Sequence, residues 1–278
     1  MSQIELLKKY NLSIRGVSGQ HLLVDGNIQR KIVACIQPKK GETILEIGPG
    51  LGALTEHLLK SGAKVIAVEQ DGAFVKILET ELGSRYKTLK LVCADILKVD
   101  LKKYCPPRSK LKVVGNIPYY ITSQILLHLI KYRTMISRAF LTIQSEVADR
   151  VLALPGTKAY GRLSILAGFY ADVCRSVEIS RNCFVPKPEV DSTTIGLTFH
   201  QTIPEEINEK LFFDLVKAAF GKRRKNILNE VASGYPGKRT KAEVKACLDE
   251  AKIKESARAE DLTLHDFTRL SQAITKKS

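Results

Sequence analysis

Apolar residues recur along most of this chain in two alternating rhythms. Ile28, Ile32, Val33 and Ile36 are spaced as one face of a helix that stops before Pro38. Thr43 to Ile47 is a short apolar run ended by glycines, as a buried strand would be. The alternation continues with a helix over 54–59, a strand over 64–68 and a helix over 74–82. Strands over 90–93 and 112–114, a helix over 123–132 and an apolar run over 138–143 follow. Such regularity predicts an α/β fold with a doubly wound, mostly parallel sheet. After Phe199 only helical spacing appears, over 205–220, 224–232, 240–251 and 263–274, broken by glycine and proline at 234–237. The chain therefore reads as one domain over 1–200 and a small all-α domain over 201–278.

Composition narrows the class. With 44% hydrophobic and 26% charged residues, the 278-residue chain is ordinary globular protein, which excludes extensive disorder. The six cysteines (35, 93, 105, 174, 183 and 247) form no C-x-x-C pair and suggest no zinc site, so they read as reduced thiols and no metal is expected. No apolar run approaches the roughly 20 residues that span a bilayer. Residues 1–16 lack an apolar core and carry Glu5, unlike a secretory leader. A bacterial-type cytoplasm is the expected compartment. The net charge of +15 suits a polyanionic partner, and an excess of 11 of those charges lies in residues 1–180.

The candidate chemistry sits where strands end. Glu46-Ile-Gly48-Pro-Gly50-Leu-Gly52 follows the first strand and opens a helix. Its spacing is G-x-G-x-G, with an acid two positions before the first glycine. A dinucleotide loop would read G-x-G-x-x-G and aim a helix at a pyrophosphate. The loop here instead suits a cofactor that lacks phosphates and carries positive charge, a sulfonium amino acid. Glu69 ends the second strand, where a carboxylate can accept both ribose hydroxyls of an adenosine. Asp95, after the third strand, can accept an adenine amino group. Ligands of open α/β sheets bind at the carboxyl ends of strands, so the loop and the two acids form one site.

Gly115-Asn116-Ile117-Pro118-Tyr119-Tyr120 closes the fourth strand. The N6 amine of adenine is a poor nucleophile because its lone pair is delocalised into the ring. The Asn116 amide oxygen and the Pro118 carbonyl, both accepting from that amine, would localise the pair without a base. Pro118 fixes the backbone beforehand, and Tyr119 offers a face for a base swung out of its RNA.

With these motifs in view, the chain resembles the ribosomal RNA adenine N6-dimethyltransferases, a family that includes the bacterial small-subunit enzymes and the Erm resistance enzymes. The likeness also covers Gly19-Gln-His-Leu-Leu23, Gln144-Ser-Glu-Val-Ala148, Tyr160-Gly-Arg162 and Phe184-Val-Pro-Lys-Pro-Glu-Val-Asp-Ser192. It implies a Rossmann-like methyltransferase domain that uses S-adenosylmethionine, with residues 1–25 lying over the cofactor. It implies that His21, Leu23, Gly48, Glu69, Asp95 and Asn116 contact the cofactor. Asn116, Pro118 and Tyr119 would hold the target adenine, with Phe184 stacking opposite Tyr119. The family's phenylalanine before Leu23 is Leu22 here.

Lys222, Arg223, Arg224 and Lys225, with Lys238-Arg-Thr-Lys241, form a basic face on the helical domain, and Lys98, Lys102, Lys103, Arg108, Lys110 and Lys112 form another on the first. Both read as phosphate contacts to RNA. The expected activity is dimethylation of two adjacent adenosines near the 3′ end of small-subunit rRNA, within a partly assembled 30S subunit, by a monomer. An Erm-type activity on one large-subunit adenosine, or a non-catalytic assembly factor, are the alternatives.

Overall fold

A computed structural model describes residues 2–12, 21–204, 207–222, 225–235 and 239–276. In chain order its elements begin with α1 (Gln3–Lys9), β1 (Leu22–Leu23), α2 (Gly26–Ile36), β2 (Thr43–Ile47), α3 (Thr55–Lys60), β3 (Lys64–Glu69) and α4 (Gly72–Leu78). There follow β4 (Leu89–Cys93), β5 (Leu111–Asn116), α5 (Thr122–Lys131), β6 (Ile136–Gln144), α6 (Ser145–Leu152) and α7 (Arg162–Tyr170). The chain closes with β7 (Ala171–Ile179), β8 (Phe184–Val185), β9 (Ser192–Phe199), α8 (Glu209–Ala219), α9 (Ile227–Gly234), α10 (Lys241–Glu250) and α11 (Leu264–Lys276).

Seven strands form one sheet in the order β4-β3-β2-β5-β6-β9-β7. The five from β4 to β6 run parallel and β9 runs antiparallel to β6. The strand order reverses between β2 and β5. Ligands of such sheets bind beside that reversal, at the carboxyl ends. The central strands β2, β3 and β5 are buried along nearly their whole length, as continuous apolar runs must be when helices cover both faces. The edge strand β4 has no fully buried residue and carries Lys90. Local chemistry sets the helix starts: Asp25 and Asp71 accept backbone N–H bonds ahead of α2 and α4. α2 ends on Gln37 in a left-handed conformation, directly before Pro38.

The chain divides into two compact units, Met1–Ala148 with Val173–Phe199 and Asp149–Asp172 with His200–Ser278. The sequence pattern set a single boundary near 200; residues 149–172 instead join the C-terminal helices. The reason is visible in α7. The Phe169 ring stacks on Phe212 of α8 at 4.1 Å between centroids, and the Tyr170 hydroxyl donates to Glu209 at 3.0 Å. Tyr160 adds a bond to the Leu262 carbonyl at 2.7 Å.

Candidate active site

The cofactor loop is shaped by its glycines and tied to its neighbours by hydrogen bonds. Gly50 has a φ of +56°, a conformation that favours glycine, and a Cβ there would also press to 2.9 Å on Leu22 Cδ2. The Gly48 N–H donates to the Val68 carbonyl at 2.9 Å, which joins the loop to β3. Glu69 completes the tie: its Oε2 accepts from Gly50 N–H at 3.1 Å and its Oε1 from Asp71 N–H at 3.0 Å. Each oxygen keeps lone-pair capacity for a further donor, which suits a pair of ribose hydroxyls. Burial holds the Glu69 carboxyl above the ordinary range, against the pull of those backbone bonds.

These residues border a cavity of about 360 Å³ at the carboxyl ends of β2, β3, β4 and β5. His21, Leu23, Gly48, Glu69, Asp95, Asn116 and Pro118 all line it. The strand ends of the large sheet, together with the β1 segment, therefore bring every cofactor residue expected from the sequence to the border of one cavity. Asp95 is oriented by its Oδ1, which accepts from Leu97 N–H at 3.0 Å. The His21 ring is held by its Nδ1, which donates to the Pro186 carbonyl at 2.7 Å. Leu22 packs with Leu6, Leu51, Phe74 and Ile77.

Asn116 ends β5. Its Nδ2 donates to the His21 carbonyl at 2.9 Å, which leaves Oδ1 as the acceptor that the amide presents. Beyond it, Ile117 N–H donates to Thr142 at 3.0 Å, and Ile121 N–H donates to Pro118 at 3.2 Å. The Pro118 carbonyl retains one lone pair for a substrate N–H. The Tyr119 side chain lies outside the described residues.

Two acids were flagged unequally by the sequence. Glu46 stood out only as an acid before the loop, yet it is 2% exposed on the cavity wall. Its Oε2 has no hydrogen-bond partner among the described residues, and burial, reinforced by the Glu69 charge, pushes its carboxyl up to about 7. A buried, unpartnered oxygen beside a second carboxylate calls for a cationic ligand. A sulfonium cofactor, whose α-amino group donates, fits those acceptors.

Phe184 does not line the cavity. Its ring is 2% exposed in a core cluster with Leu23, Ile36, Val114 and Phe140, and it pairs with Leu23 across the β1–β8 ladder. Among the described residues, the aromatic at the rim is Tyr120, which is 67% exposed. Sequence reading gave it no role; its position directly after the N-x-P-Y run was the available signal.

The basic stretches divide similarly. Lys98, Lys102, Lys103, Arg108 and Lys110 are exposed. Lys112 is buried, and its Nζ donates to the Ile36 and Gln37 carbonyls at 3.0 and 3.2 Å and to Glu42 at 2.9 Å. It caps the C-terminus of α2 and has no face left for RNA. In the helical unit Lys222 and Lys225 are exposed, and Lys222 N–H donates to the buried Glu230 at 2.8 Å. Arg223, Arg224 and Lys238 lie outside the described residues. The Arg239 guanidinium bonds the Ile274 carbonyl at 3.2 Å.

A mostly parallel seven-stranded sheet with this cavity at its switch point makes the protein a Rossmann-like, S-adenosylmethionine-dependent methyltransferase. A family model described as ribosomal RNA adenine dimethylase matches residues 11–276. A ribosomal RNA small subunit methyltransferase A from Shouchella clausii is 40% identical over 97% of this chain and 92% of its own length. One from Ligilactobacillus salivarius is 41% identical over 98% and 93%. Among solved structures, a dimethyladenosine transferase from Plasmodium falciparum superposes with a TM-score of 0.78 at 26% identity, over 92% of this chain and 98% of that one. The 23S rRNA methyltransferase ErmE gives 0.67 at 25%, over 91% and 99%. The chain belongs to the ribosomal RNA adenine dimethylase family.

Proposed function

We propose that this enzyme dimethylates the N6 amines of two adjacent adenosines near the 3′ end of small-subunit rRNA. The observation that carries the chemistry is the Asn116 amide, pinned through Nδ2 to the His21 carbonyl at the cavity wall, with Oδ1 left to accept. The choice of RNA rests on the relatives named small-subunit methyltransferases, which match at 40% and 41% over nearly full length, against 25% for ErmE.

In this reading Glu69 takes the ribose hydroxyls of S-adenosylmethionine, Asp95 its adenine amine, and Glu46 and the Gly48 backbone its amino-acid end. When bound, that cofactor supplies an electrophilic methyl group. The protein's own contribution is to prepare the nucleophile. Asn116 Oδ1 and the Pro118 carbonyl accept the two N–H bonds of the target amine and draw its lone pair out of conjugation. The N6 proton is acidified by methylation and leaves to water, so no side-chain base is required. A monomethylated amine keeps one N–H and can still be held, which permits the second transfer. Tyr119 supports the base from one face. Phe184 acts through β1, which it anchors beside His21.

The helical unit, with Lys222, Arg223, Arg224 and Lys225, and the exposed lysines at 98, 102 and 103 grip RNA phosphates of a partly assembled 30S particle. The protein works as a monomer in the cytoplasm. Replacing Asn116 with Ala tests the mechanism: methyl transfer falls at least about 1,000-fold while RNA binding is retained. Full activity in that variant refutes it.

A further inference from the structure

Tyr120 borders the cofactor cavity and is 67% exposed. Its neighbours leave it little freedom to fold inward. Ile117 and Ile125 are 2% and 0% exposed and fix the turn to the core. The backbone is held by Ile117 N–H on Thr142 and Ile121 N–H on Pro118, with the proline ring setting its own φ. Among the described residues no hydrogen bond reaches the Tyr120 hydroxyl and no ring stacks on it. The result is an aromatic face presented at the rim on a rigid backbone, four residues beyond Asn116.

RNA brings a polymer to this rim. A target base swung into the cavity leaves the next nucleotide unstacked at the mouth. An aromatic face captures such a base whatever its identity, through its π-face. We propose that Tyr120 is a substrate-positioning residue that stacks on the adenosine adjacent to the one held at Asn116. The second target thus waits at the cavity mouth while the first is methylated. This rests on the reading of the substrate as two neighbouring adenosines of rRNA.

The test couples the residue to the base. Small subunits are reconstituted with the adjacent pair intact or with one member replaced by uridine, which stacks less well. Methylation of the remaining adenosine is timed with the unaltered enzyme, Y120A and Y120F, and cofactor affinity is measured by calorimetry. Y120A should slow methylation of the intact pair about tenfold with cofactor affinity unchanged, and Y120F should restore most of the rate. The uridine replacement should slow the unaltered enzyme and leave Y120A no slower than before. Independent, multiplying effects overturn the stacking role, as does a Y120A enzyme of undiminished rate. If the unaltered enzyme methylates neither particle, the proposed function falls and Tyr120 with it; methylation without coupling removes Tyr120 alone.

Discussion

Replacing Glu46 with Gln removes the most deeply buried carboxyl from the cavity wall, and the structure sets the size of the effect. The carboxyl is 2% exposed, Oε2 has no described partner, and burial carries its pKa from an ordinary 4.5 to about 7. Ionising it inside the fold therefore costs about 3 kcal/mol, at roughly 1.4 kcal/mol per pH unit. The folded state holds the proton more tightly than the unfolded chain. Stability from this group is thus complete below pH 4.5 and is lost as pH rises to 7. Urea unfolding at pH 5 and pH 8 reads this directly. E46Q should match the unaltered protein at pH 5 and exceed it by about 1–3 kcal/mol at pH 8. The same proton opposes a cationic ligand, so cofactor affinity should rise between pH 5.5 and 7 in the unaltered protein and rise less in E46Q, where Glu69 alone still titrates upward of its ordinary range. A stability difference equal at both pH values would show that folding leaves the Glu46 carboxyl at its ordinary pKa, and the case for a buried, ligand-seeking carboxyl on the cofactor wall would fail.

The remaining predictions concern neighbouring parts of the site. A Cβ at Gly115 would stand 2.9 Å from the Ile47 carbonyl, so G115A should cost about 2–4 kcal/mol in urea unfolding by parting β5 from β2. K112M should cost about 2–3 kcal/mol through the lost bonds to Ile36, Gln37 and Glu42, with no change in RNA affinity by filter binding. Glutamates at exposed Lys102 and Lys103 should do the reverse, sparing stability while weakening RNA binding and lowering its salt slope by about 2. F184L, which keeps the core apolar, should retain methyl transfer if the ring acts through β1. Lost activity at unchanged stability would restore a stacking role for Phe184.

Much of the catalytic unit was legible because its signals are local. The strand runs at 43–47 and 64–68 and the glycines between them announce a turn whatever surrounds it, and strand ends locate the cofactor acids. Helices α8 to α11 were readable from apolar spacing alone. What escaped depends on partners distant in the chain. The two-residue strands β1 and β8 are too short to carry a period, and only their pairing defines them. Lys112 sits among lysines that are exposed, and nothing in its neighbourhood reveals that two carbonyls 75 and 76 residues away enclose it. Phe184 reads as a recognition aromatic by motif, whereas its burial follows from pairing with Leu23. The α7 segment carries a mostly apolar sequence that fits either unit, and Phe212 decides which.

The central claim is that Asn116 and Pro118 activate adenine N6 amines of small-subunit rRNA for two successive transfers. Its most direct test incubates the protein with tritiated S-adenosylmethionine and either unmodified small subunits or large-subunit RNA, then maps the labelled nucleosides. The expected product is N6,N6-dimethyladenosine at two adjacent positions near the 3′ end of the small-subunit RNA, with no label from N116A. Label confined to large-subunit RNA, or small-subunit label that persists in N116A, would contradict it.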